Sequence, residues 1–303
     1  MPELPDIETY IACLRRELDG ARLERVRITS PSILRTVEPP TESLEGSWLR
    51  GAARIGKRIA MRFEDASGSE RWAVLHLMIA GRLRWTPGRG IAPGRAPTLV
   101  SAEFGFDRGT LSVTEASKEK RATLHVVADR RALEGIDPGG IEPLTCSRES
   151  FARVLLSSTR TLKRALTDPH AFAGIGNAYS DEILHAARLS PTQRTTNLDA
   201  AEVDRLFDAA RTILTTFRDR LAKEFAKRFP GPGAITAFRP DFAVHGKFEQ
   251  PCPVCGTTVQ RIVRGAHETN YCPRCQTGGK VLADHSLSRL LGEDWPSRVE
   301  EWE

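Results

Sequence analysis

Four cysteines constrain this chain more than any other feature. Cys252-Pro-Val-Cys255 is followed, after sixteen residues, by Cys272-Pro-Arg-Cys275. Two C-x-x-C knuckles at that separation predict one tetrahedral four-thiolate zinc site. Protein fills all four positions, so no place is left for water or substrate. The zinc is expected to be structural, and catalysis is expected elsewhere. Between the knuckles, TTVQRIVRGAHETNY predicts two strands around a turn near Arg264 and Gly265. Basic residues at that tip fit either a plain folding clip or a contact to nucleic acid. The other two cysteines, Cys13 and Cys146, stand alone and predict inert thiols.

Upstream, the 303 residues are enough for two domains. Ile7, Tyr10, Ile11, Leu14 and Leu18 follow helical spacing, with Gly20 as a stop. Alternating runs follow: LERVRI, KRIAMRF, AVLHLMIAGRLRW, TLVSAEFGF, GTLSVTEA and ATLHVVADR. Separated by turn residues, they predict an antiparallel sandwich or barrel. GIDPGGIEPL reads as a linker. Beyond Cys146, SRESFARVLLSS, TLKRALTD, NAYSDEILHAARL and residues 199–229 carry helical periodicity. Asp199 with Glu202 resembles a capping box. A short helix is expected at HSLSRLLGED in the tail. No apolar run reaches the roughly 20 residues of a membrane span, and the start does not read as a signal peptide. A cytoplasmic protein is expected. The net charge of +5 mildly favours a polyanionic partner.

Two further stretches carry chemistry. In AFAGIGNAYSDEIL, Gly174 and Gly176 frame a tight turn, and Asn177 is placed to cap the following helix. Such a start is either an ordinary inter-helix turn or an anion site built from exposed N–H groups. The chain begins PELPDIE after Met1. Loss of the initiator would leave Pro2 with a free secondary α-amine, which titrates near pH 8, well below a lysine. Such an amine attacks an aldehydic carbon to give a cationic iminium. Glu3 beside it is placed to move protons. The alternative is an acidic helix start matched to the helix dipole.

PELPDIE at the start, GIGNAYSDEIL in a helical middle and CPVCG…YCPRCQ near the end share the order of one family. Over residues 2 to 276 the chain resembles the formamidopyrimidine-DNA glycosylase / endonuclease VIII family. The resemblance implies an α+β fold: an N-terminal antiparallel β-sandwich with a flanking helix, then a helix–two-turns–helix domain and a zinc-ribbon β-hairpin. It places these at residues 2–142, 143–240 and 241–276, with an extension over 277–303. Damaged DNA would run between the two halves. Pro2 matches the nucleophile that attacks C1′, and Glu3 the acid assisting ring opening and base loss. Lys57 matches a lysine reaching a phosphate. Asn177 matches an asparagine binding a flanking phosphate, and Lys163 a lysine near the damage pocket. The implied protein is a monomeric, nucleoid-associated base-excision-repair enzyme, a bifunctional glycosylase and abasic-site lyase with structural Zn2+.

Several positions depart from the family pattern. His267 stands where the zinc hairpin usually carries an arginine, with Arg264 three residues earlier. Relatives reading oxidised guanine carry HLGMSG, and here the run is HLMIAG, with Ile79 in the gap-filling place. Their DPRRFG wedge corresponds to EASKEKR, which keeps Lys118, Lys120 and Arg121 but no phenylalanine. These changes point away from a standard 8-oxoguanine enzyme, towards oxidised pyrimidines, abasic sites or single strands. The competing expectation is a non-catalytic or lyase-only binder of damaged DNA on the same scaffold.

Overall fold

The N-terminal motif is itself a helix start. Helix α1 spans Leu4–Leu18, with Pro5 in its first turn, where a backbone N–H has no intrahelical partner to lose. Glu3 is the N-cap, and its backbone N–H donates to the Asp6 carboxylate at 2.9 Å. Ile7, Tyr10, Ile11, Leu14 and Leu18 are all buried, as their spacing predicts. The computed structural model describes residues 1–88, 90–92, 94, 97–231, 233–265, 267–282 and 298–299. The helix expected at HSLSRLLGED lies outside these residues.

Eight strands follow: β1 Leu23–Ile28, β2 Trp48–Ile55, β3 Arg58–Glu64, β4 Glu70–His76, β5 Gly81–Pro87, β6 Val100–Phe106, β7 Gly109–Glu115 and β8 Thr123–Val127. They form two four-stranded antiparallel sheets, ordered β1-β6-β7-β5 and β2-β3-β4-β8. Leu49, Ile59, Phe63 and Leu75 from one sheet share a core with Leu23, Phe104, Phe106 and Leu111 from the other. The Phe63 and Phe106 rings stack at 6.4 Å between centroids. The fold is the expected sandwich, and α1 closes its core.

Two readings of the strands change. WLRGAARI is β2, although its arginines, glycine and alanines carry little strand preference. Pairing with β3 and burial of Leu49 and Ala52 decide it. AVLHLMIAGRLRW is not one strand but the end of β4, a turn, and the start of β5. Met78 takes a left-handed φ of 52° there. The Gly81 N–H closes the turn on the Leu77 carbonyl at 2.8 Å.

By compactness the chain divides into two units, residues 1–138 with 217–236, and residues 139–216 with 237–303. The first also contains α2, Arg130–Glu134. The second holds α3 Arg148–Leu156, α4 Leu162–Thr167, α5 Asn177–Ala187 and most of α6, Ala200–Glu224. Asp199 caps α6 as expected, accepting the Glu202 N–H at 2.7 Å. The helix stops five residues before the expected end. The next two carbonyls, Phe225 and Ala226, accept instead from Arg16 on α1. The second unit ends in the predicted hairpin, β9 Gln260–Arg264 with β10 His267–Tyr271, and in α7, Pro273–Thr277. Among the described residues no helix is long and apolar enough to cross a membrane.

A Cβ on Gly81 would approach the Leu77 oxygen to 2.2 Å. Gly81→Ala should therefore lower unfolding free energy in urea by more than about 2 kcal/mol, with strain at a tight turn as the cause.

Candidate active site and zinc centre

The end of the first unit's chain is buried, not frayed. Pro2 is buried and Glu3 is 2% exposed. The α-amine, here on Met1, has its pKa lowered, chiefly by burial. Glu3 and Asp6 oppose that shift, while Arg82 and Lys57 add to it. The amine therefore lies among two carboxylates and two cations. Its neutral, nucleophilic form is favoured at a lower pH than an open chain end allows.

Separate pieces of chain bring these groups together. Lys57 sits in the Gly56–Lys57 turn between β2 and β3. Arg54 binds the Glu8 carboxylate of α1 at 2.8 Å and the Gly56 carbonyl at 3.0 Å, which ties the turn to the helix bearing Glu3. Burial lowers the Lys57 pKa, and the Glu3 charge partly restores it. Arg82 donates to the Ile235 carbonyl at 2.6 Å and to the Ile79 and Gly81 carbonyls at 3.0 and 2.7 Å. It thus braces the turn that leaves Ile79 62% exposed. Ile79 and Ala80 line one pocket of about 210 Å³ together with Glu115, Ser117, Glu119 and Arg121 of the EASKEKR run. The Glu115 carboxylate shapes that run, accepting the Arg121 and Ala122 N–H groups at 2.8 and 3.2 Å.

The sequence reading missed Arg82, whose role depends on carbonyls far along the chain. It also missed a basic group on the outer face of the second sheet. Arg58, His76 and His125 share that face by strand register. Arg58 Nε, His76 Nε2 and His125 Nδ1 are buried without a hydrogen bond among the described residues. His76 is pushed down to about 4, by burial first and then by Arg58, Lys57 and His125.

In the second unit, the anion-site candidate is built differently from expectation. Gly176, not Asn177, is the N-cap of α5, and Asn177 is its first helical residue. The Asn177 amide donates to the Glu268 carbonyl of β10 at 2.8 Å, so the side chain points to the hairpin and not back over its own helix. Lys163 Nζ bonds both the Asn177 carbonyl and the Asp181 carboxylate at 2.6 Å. Asp181 is fully buried and also accepts from His245 Nδ1 at 2.7 Å and the Asn270 N–H at 3.2 Å. Glu182 receives the N–H groups of Ala243, Val244 and His245 at 2.7 to 2.9 Å. Arg264 is exposed at the end of β9, paired in register with His267.

The four predicted cysteines converge, their sulfurs all within 4.8 Å of one another. Cys252 to Cys275 is 3.9 Å and Cys255 to Cys272 is 3.4 Å. A tetrahedron of thiolates about 2.3 Å from zinc has sulfurs about 3.8 Å apart. These residues fit structural zinc, with Cys252 and Cys272 packed against Val244 and Val259.

Fold and site together define a two-unit α+β protein with a zinc-clipped hairpin and an α-amine buried beside a carboxylate. Family models agree. Residues 1–135 match the formamidopyrimidine-DNA glycosylase N-terminal domain, 139–218 its H2TH domain, and 249–278 the zinc finger found in FPG and IleRS. The formamidopyrimidine-DNA glycosylase of Heliobacterium modesticaldum is 32% identical over 91% of this chain and all of its own length. That of Symbiobacterium thermophilum is 31% identical over 91% of this chain and 89% of its own. A Lactococcus lactis Fpg structure with abasic-site DNA superposes with a TM-score of 0.77 at 25% identity, covering 91% of this chain and 99% of that one. The chain belongs to the formamidopyrimidine-DNA glycosylase family, whose members are DNA glycosylases of base-excision repair.

Removing the Asp181 carboxylate would strand the buried Lys163 ammonium and leave His245 Nδ1 without that partner. Asp181→Ala should destabilise the protein by about 3–5 kcal/mol, measured by denaturant unfolding. Zinc chelation should unfold the hairpin and weaken binding to abasic-site DNA, because the binding energy of structural zinc is folding energy. Circular dichroism and gel shift with and without added zinc would measure both.

Proposed function

We propose that this chain excises damaged bases from DNA and nicks the resulting abasic site, with the secondary amine of Pro2 as nucleophile. The carrying observation is the burial of the α-amine beside Glu3, with its pKa lowered. Removal of Met1 exposes the secondary amine of Pro2, itself buried and next to Glu3 in the chain. Its lone pair forms a bond to C1′ of the flipped-out nucleotide. Glu3 supplies a proton as the sugar ring opens, and the base leaves with the glycosidic electron pair and a proton. The C1′ iminium that results draws electrons from C2′. Loss of the C2′ proton expels the 3′ phosphate, a second elimination can release the 5′ phosphate, and water regenerates the amine.

Lys57 is proposed to hold a phosphate near the lesion, with Arg58 adding positive potential on the same sheet. Asn177, Lys163 and Arg264 are proposed as backbone contacts of the second unit. Ile79 is proposed to enter the gap left by the flipped base. The pocket it shares with Glu119 and Arg121 supports a lesion or opposite-base preference unlike that of enzymes carrying HLGMSG and DPRRFG. Four parts are proposed: the sandwich, the two-turn helical domain, the zinc finger and the C-terminal extension. The place of work is the nucleoid.

Borohydride trapping on an abasic-site duplex tests the mechanism. Untagged, Met1-free protein should give a covalent adduct mapping to Pro2. An N-terminal extension, or Pro2→Gly, should abolish nicking, and Glu3→Gln should slow base excision by about 10²–10⁴-fold. Tight binding with no adduct would instead identify a damage-binding protein. Burial favours the neutral form of an amine, and that nucleophilic form is lost as pH falls through the amine's pKa. The trapping rate of Met1-free protein should therefore rise with pH to a plateau.

A further inference from the structure

One buried contact joins α5 to the metal site. His185 Nε2 lies 3.3 Å from the sulfur of Cys252. Both residues are buried, at 6% and 3% exposure. The histidine is not a fifth ligand, for the group whose atoms all lie within 4.8 Å comprises the four cysteines alone among the described residues. A zinc-bound thiolate has no proton to give, so the shared hydrogen must sit on Nε2. We propose that His185 is an outer-sphere positioning residue of the zinc centre, its Nε2–H donating to the Cys252 thiolate.

The charge balance gives the contact its purpose. Four thiolates around Zn2+ leave a net charge of −2, and this one is partly buried. A donor to sulfur withdraws charge and slows protonation and loss of that ligand. The knuckles supply a weaker donor of their own, the Cys275 N–H to Cys272 at 3.5 Å. His185 comes from a helix distant in sequence. The same helix reaches the hairpin segment through Asn177, Asp181 and Glu182, which bond Glu268, Asn270 with His245, and residues 243–245. His185 extends that row to a ligand of the metal. Zinc retention is thereby coupled to α5, the helix that also bears the Asn177 amide.

The test uses the full-length zinc protein, with His185→Phe removing the donor and His185→Gln retaining one. Zinc release to an excess of a chromogenic chelator should be about 10–100-fold faster in His185→Phe, and within about threefold of wild type in His185→Gln. In the Co2+-substituted proteins, the thiolate-to-metal charge-transfer band should move to lower energy in His185→Phe and return in His185→Gln. Release rates and bands identical in wild type and His185→Phe would overturn the proposal. Nitrogen-15 NMR of the wild-type zinc protein decides independently of whether a variant folds. A protonated Nε2, with scalar coupling to cadmium-113 in the substituted protein, is expected. An unprotonated Nε2 would also overturn it.

Discussion

A hydrogen bond of 2.9 Å, from the Glu3 N–H to the Asp6 carboxylate, fixes the chain end on which the proposed chemistry depends. Chain termini ordinarily fray, because few contacts repay the entropy of ordering them. Here the cap stops fraying at the first turn, and the apolar face of α1 anchors the rest in the sandwich core. The amine of Met1, two residues before the cap, then has a fixed place, and burial depresses its pKa.

Around that end the first unit gathers charge by tying loops to the helix. The Arg54–Glu8 pair carries the Lys57 turn to α1, and Arg82 braces the turn that projects Ile79. Surface ion pairs contribute little, but Arg54 is almost wholly buried, so loss of its partner would leave a costly charge. These contacts position groups more than they add stability. The second unit uses the same device once more. Asp181 joins α4, the segment before the zinc knuckles and β10 at one carboxylate.

The zinc ligands, the α1 core positions, most strands and the helices of the second unit were all legible in the sequence. Each is encoded within a short window, by a period of two or 3.6 or by ligand spacing. The misreadings fall where a window is ambiguous. β2 carries strand formers only at its ends, Trp48 and Ile55, and its middle is held by pairing with β3. The β4–β5 turn carries no proline and only one glycine, so the left-handed Met78 was invisible. Asn177 reads as a cap by type, but it is the first helical residue of α5, and its amide N–H donates to the Glu268 carbonyl.

The sequence by itself determined that a four-thiolate metal site clips a hairpin, that a capped amphipathic helix begins at the terminus, and which family's motifs the chain carries. These rest on local chemistry and fixed spacing. Only the tertiary structure decided that Arg82 and Lys57 crowd the amine, that His245 and Lys163 share Asp181, that His185 meets Cys252, and that residues 217–236 return to the first unit. Those side-chain partners are separated by 18 residues or more. Burial and charge act through space, so their pairing is set by which surfaces the core brings together.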